Sequence, residues 1–231
     1  MQHTGPPLRF ATTRLATGPQ VHYAEQGDPG GEPIIFIHPH ADSWFSFSRV
    51  LALLHARYHA HALDQRGHGD SERPACCYTI DDFATDIVDF LDGVGITRAT
   101  LVGHSASGFI ARRVAETHPK RVARLVLINC AVTLPTQVRR EMQAAVQALG
   151  DPLPVAFVRE LHASVAHVPL PEPILERLVA QSLKAPARVW TSALEGLLGF
   201  DDVAELGRIV APTLLLWGER DGLFSREEQE R

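Results

Sequence analysis

Cysteine is scarce in this chain of 231 residues: there are three, Cys76, Cys77 and Cys130. Two adjacent thiols and one distant one cannot build a disulfide framework, and their spacing pairs none of them for a metal. Also lacking is an unbroken apolar run of about 18 residues, the length a membrane-crossing helix needs. The stretch from Met1 to Tyr23 is polar with Gly and Pro and lacks the charged-then-apolar pattern of a secretory leader. Basic blocks are missing too. Lys and Arg total 22 against 27 Asp and Glu, and the formal charge of -5 is spread along the sequence. No Lys/Arg cluster offers a footing for a phosphate backbone or an anionic lipid surface. These absences point to a reduced, cytoplasmic protein whose partner is a small molecule, not nucleic acid or membrane; oligomeric state is not legible.

What is present is a globular composition, 45% hydrophobic and 21% charged, long enough to bury one large core. Short apolar runs recur at Pro33–His38, His59–Leu63, Ala99–Val102, Arg124–Ile128 and Pro212–Trp217. Helical patterns separate the first four, which predicts a mostly parallel, doubly wound α/β sheet with each strand buried on both faces. Between Thr79 and Val94 the apolar positions Ile80, Phe83, Ile87, Phe90, Leu91 and Val94 fall at helical spacing, with Asp82 three residues after a Thr79 cap. After Ala131 the rhythm breaks for about 75 residues, too long for a structureless loop. Helices are expected at Thr136–Leu149, Leu153–Val165, Pro173–Leu183 and Ala187–Leu198, punctuated by prolines. The chain therefore divides into core residues 1–133, a helical lid over 134–207, and core residues 208–231.

The run Ala99–Val102 leads into Gly103-His104-Ser105-Ala106-Ser107-Gly108 and then a helical pattern. A serine on a tight strand-to-helix turn has its hydroxyl thrown out at the sheet edge, and the next backbone N–H, that of Ala106, sits at a helix N-terminus where an oxyanion would form. Here the chain resembles the α/β-hydrolase family, whose nucleophile elbow reads Gly-x-Ser-x-Gly. Ser107 departs from the final glycine, and a tolerated crowding is expected. The resemblance spans nearly the whole chain. Ile37-His38-Pro39-His40 is similar to the family's oxyanion loop, with Pro39 in place of the usual glycine and the His40 backbone as the second donor. Asp64-Gln-Arg-Gly-His-Gly-Asp-Ser71 is similar to the loop after the fourth strand, where Asp64 and Arg66 are expected to brace a turn. His38 and His40 lack the carboxylate partners of a metal pair, and neither metal nor cofactor is expected. His104 is expected to point into the sheet.

The same resemblance makes Asp221, in Gly218-Glu219-Arg220-Asp221-Gly222 after the last strand, the triad acid, with Glu219 as the fallback. The other acid position, after the sixth strand, holds Asn129-Cys130-Ala131 and no carboxylate. In the family a histidine follows the acid, but the ten residues after Asp221 contain none. The resemblance therefore implies a serine hydrolase of small esters, lactones or related carbonyl compounds, with a final strand and helix missing. This chain is expected to be inactive, because losing the histidine of such a unit costs on the order of 10⁶ in turnover. Trp44, Cys130 and Trp190 are pocket candidates. A serine nucleophile argues against the epoxide hydrolase and dehalogenase branches, which the resemblance endows with aspartate. A cofactor-free haloperoxidase or perhydrolase, and a non-catalytic ligand-binding module, remain as alternatives.

Overall fold

Strand, turn and helix alternate along the chain much as the hydrophobic rhythm requires. A computed structural model describes residues 6–230; the leader reading at Met1–Gly5 and the last residue, Arg231, lie outside the described residues. The strands are β1 (Arg9–Arg14), β2 (Gln20–Gln26), β3 (Glu32–Ile37), β4 (Tyr58–Leu63), β5 (Ala99–His104), β6 (Val122–Ile128) and β7 (Thr213–Leu216). They form one sheet in the order β1-β2-β4-β3-β5-β6-β7. From β4 to β7 every neighbouring pair is parallel, while β1 pairs with β2 and β2 with β4 antiparallel. The hairpin β1–β2 is absent from the sequence reading. Its polar, Thr- and Gln-rich strands hide their alternation, and its turn rests on Gly18 at φ +114°, closed by Leu15 N–H donating to Pro19 O at 2.9 Å.

The helices are α1 (Ser48–Leu51), α2 (Ile80–Gly93), α3 (Ala106–Thr117), α4 (Thr136–Gln147), α5 (Val155–Ser164), α6 (Glu172–Ser182), α7 (Ala187–Leu198) and α8 (Arg226–Gln229). Helix α2 begins at Thr79 with the expected reciprocal cap: Asp82 N–H donates to Thr79 Oγ1 at 3.2 Å, and Thr79 N–H to Asp82 Oδ2 at 2.9 Å. The four helices α4–α7 lie between β6 and β7, within two residues of the expected bounds at every end.

Alternation along β3 shows why the sheet is buried on both sides. Ile35 and Ile37 enter the larger core with Leu101, Phe90, Ile110 and Trp190, while Ile34 and Phe36 enter a smaller one with Trp44, Phe47 and Val102. β7 falls within the apolar run Pro212–Trp217. It lies at the sheet edge, and Leu214, Leu215 and Leu216 are 52%, 52% and 44% exposed. Among the described residues nothing covers it, leaving an apolar edge of the kind that invites strand pairing between chains.

Candidate active site

Ser105 sits between the last residue of β5 and the first of α3 with φ +55° and ψ -122°, a backbone state that L-residues rarely adopt. The surroundings over-determine it. Ser105 N–H donates to Ile128 O at the end of β6, at 2.9 Å. A Cβ on Gly103 would lie 2.3 Å from the Ser107 carbonyl oxygen, and one on Gly108 would lie 2.3 Å from Cys130 Sγ, so both glycines permit approaches no other residue would. The close-packing task thus falls to Gly108, one place beyond the expected glycine.

Ser107 is more than tolerated. Its hydroxyl is buried, donates to the carbonyl of His38 and accepts from Gln65 Nε2 at 3.2 Å, while Gln65 Nε2 also reaches His38 O at 2.8 Å. The elbow is thereby tied to the His38–Ala41 loop, in which Ala41 takes φ +61°. His38 donates from Nδ1 to Pro39 O at 2.8 Å and accepts at Nε2 from Gln65 N–H at 3.1 Å, which fixes its tautomer as neutral. Burial holds His38 and His40 down to about pKa 4 and His68 well below its usual value. These three imidazoles are uncharged at neutral pH. His40 and His68 line a cavity of about 20 Å³ together with Ala106 and Ser107, and the Nε2 atoms of both are buried without a partner. A space of that size with two open nitrogens suits one water molecule.

Asp64 and Arg66 brace the turn as expected. Asp64 is fully buried and accepts from Trp44 N–H at 2.8 Å, Asp70 N–H at 2.9 Å and His22 Nδ1 at 2.8 Å. Arg66 makes a buried two-pronged ion pair with Asp86. Packing places two of the pocket candidates in the core clusters. Trp44 lies in the smaller core against Phe36, Phe47 and Ala62, its ring 5.0 Å from Phe10, and does not line the cavity. Cys130 is core, pressed on Gly108, and burial pushes its thiol up to about 11. Trp190 of α7 is buried with its ring 6.0 Å from that of His40.

Asp221 caps its own turn, Oδ1 accepting from Leu223 N–H at 2.8 Å and Phe224 N–H at 3.1 Å. The loop is held to the elbow's side of the sheet by Asn129, whose Oδ1 accepts from Gly218 N–H at 2.9 Å and whose N–H donates to Leu216 O at 2.8 Å. Sequence reading noted Asn129 only for lacking a carboxylate. Its φ of +46° at a strand end is a signal visible only in three dimensions. Burial pushes the His104 imidazole down, and the Asp221 charge opposes that shift, so acid loop and nucleophile strand share one neighbourhood. Glu219 is exposed. Among the described residues no imidazole is hydrogen-bonded to Ser105 or Asp221. His162 bonds Ser182 Oγ at 2.8 Å, and His167 meets Arg220.

Residues 32–231 match the alpha/beta hydrolase fold, and the chain belongs to that family. It is 27% identical over 253 residues to epoxide hydrolase 3 of Mus musculus, covering 94% of this chain and 66% of that protein. It is 27% identical over 233 residues to lipase 3 of Moraxella sp. (strain TA144), covering 96% and 73%. Epoxide hydrolase 4 of Mus musculus is 33% identical over 115 residues, which make up 49% of this chain and 32% of that protein; the chain thus spans about one to two thirds of the first curated relatives it matches. A solved hydrolase of Pseudomonas aeruginosa PA01 superposes with TM-score 0.84 at 23% identity, covering 96% of this chain and 84% of that one, and shares the fold.

Proposed function

We propose that the chain is a serine hydrolase of small carbonyl compounds, esters or lactones, acting through Ser105. The observation that carries this reading is the strained Ser105 at φ +55°, held by two glycine contacts at a strand-to-helix turn. In the proposed reaction Ser105 Oγ attacks the carbonyl carbon, its proton passes to a base and then to the leaving alcohol, and water releases the acid from the acyl-enzyme. The amides of Ala106 and His40 hold the oxyanion, Asp221 orients the base, and helices α4–α7 cover the substrate.

Chemistry separates this reading from the activity in the names of the epoxide hydrolase relatives. A serine that opened an epoxide would form an ether, which water cannot cleave as it cleaves an ester. Hence Ser105 suits acyl transfer. With no imidazole bonded to Ser105 among the described residues, turnover is expected on the order of 10⁶ below a complete triad. A non-catalytic ligand-binding role rests on that same observation.

The test is chemical rescue. The chain is mixed with p-nitrophenyl acetate and rising free imidazole, with Ser105→Ala as the blank for the solution reaction, and with a fluorophosphonate probe. A saturable gain in hydrolysis over the blank, with label on Ser105, is the expected result. Equal rates in both proteins and no label at any imidazole concentration reject acyl transfer and leave ligand binding.

A further inference from the structure

Two strands over from Ser105 and level with Leu101 in the middle of β5, the antiparallel register between β2 and β4 sets Glu25 against His61, and Arg9 of β1 against Glu25. Residues two apart on a strand share a face, so His59 joins His61 there. His59 Nε2 lies 2.7 Å from Glu25 Oε1, and the two imidazole rings are 4.3 Å apart. One ligand atom from each of Glu25, His59 and His61 falls within 4.8 Å of the others. Phe90 of α2 closes the inner side, its ring 5.7 Å from that of His61 and 5.0 Å from that of Tyr23.

A hydrogen-bonded pair would account for His59 and Glu25 alone. It does not account for His61, which is 2% exposed and whose Nδ1 is buried with no partner at hydrogen-bond geometry among the described residues, the His59 backbone being a polar neighbour besides Glu25 and His59 itself. Orphaned buried polar atoms are rare and costly. We propose that Glu25, His59 and His61 form a structural site for a divalent first-row transition metal such as Zn²⁺, which ties the β1–β2 hairpin to the parallel sheet.

Two imidazoles and one carboxylate form a donor set that zinc accepts, with water completing a tetrahedron. Zinc–nitrogen bonds of about 2.0–2.1 Å put tetrahedral ligands about 3.3 Å apart, so closing from 4.8 Å asks for side-chain rotation only. A metal at His59 Nε2 takes the place of the hydrogen bond to Glu25, the ring proton moving from Nε2 to Nδ1. Arg9 is the competitor, its NH2 3.0 Å from Glu25 Oε1. His61 and Ser105 are separated by about 13 Å along the strands and two strand spacings across, so the metal would not touch the substrate.

The test uses the untagged chain with Cys76→Ser and Cys77→Ser, which removes the exposed thiols, stripped with chelator and titrated with Zn²⁺ by calorimetry and by thermal denaturation. One equivalent is expected to bind and raise Tm. His61→Gln should weaken binding by at least about 100-fold, more than the loss of an outer-shell partner. Arg9→Ala, an exposed change that leaves the fold intact, should tighten it about tenfold by removing a nearby cation. No stoichiometric binding, or binding unchanged by His61→Gln, overturns the proposal. If His61→Gln does not fold, Arg9→Ala decides, and an unaltered affinity there also overturns it.

Discussion

Replacing Ser107 by alanine removes the hydroxyl that joins the elbow to the His38 loop. The hydroxyl donates to His38 O and accepts from Gln65 Nε2 at 3.2 Å. Neither neighbour is orphaned by its loss, because Gln65 Nε2 and His38 O still bond each other at 2.8 Å. The cost is therefore that of hydrogen bonds lost without a stranded charge, about 1–1.5 kcal/mol. In a domain of this size about 1 kcal/mol moves Tm by roughly 2–4 °C, so a fall of about 2–6 °C is expected in a thermal melt. Ser107→Gly, which restores the family's usual residue, should do worse by about 0.5–1 kcal/mol, since glycine loosens the first turn of α3. Both variants should slow fluorophosphonate labelling of Ser105, because a slack His38 loop no longer aims its amide at the oxyanion. Ser107→Ala melting within 1 °C of the parent and labelling at the parent rate would show that the hydroxyl ties nothing together.

Ser105→Gly should abolish labelling yet raise stability, since it releases about 1–3 kcal/mol of backbone strain against about 0.5–1 kcal/mol of glycine entropy; a lower Tm than Ser105→Ala contradicts the strain. Asp202→Ala strands the buried Arg112 guanidinium, whose Nε and NH2 donate to that carboxylate at 2.9 and 2.6 Å, and should cost about 3–5 kcal/mol in urea unfolding. A loss under about 1 kcal/mol refutes the pairing. Burial, then the neighbouring Asp202, push Glu116 up to about 7, above its unfolded value. The folded chain thus keeps a proton that the unfolded chain sheds, and this group's contribution to stability falls as pH rises from about 4.5 through 7. Glu116→Gln should flatten that slope in melts taken across the window, and an unchanged slope assigns it to other groups.

The parts of this fold that sequence made legible are those in which one local pattern does the work. Buried parallel strands announce themselves as apolar runs, the Thr79 cap as a polar residue before a helical stripe, and the elbow as small residues around Ser105. What sequence hid depends on pairing between distant residues. The polar hairpin β1–β2 reads as a tail until its register with β4 is known. Which cores Trp44 and Cys130 pack into is equally hidden: Trp44 joins the smaller cluster, and Cys130 presses on Gly108 in the larger. Asn129 attracted notice for what it is not, and only the folded chain reveals it as the clamp on the Asp221 loop. The same reasoning explains why a metal was not expected. His38 and His40, two residues apart, have no carboxylate cluster beside them along the chain, whereas the set that converges takes Glu25 from another strand, 34 residues before His59. Chemistry carried by one turn can be read along the chain, and chemistry assembled across strands requires the register.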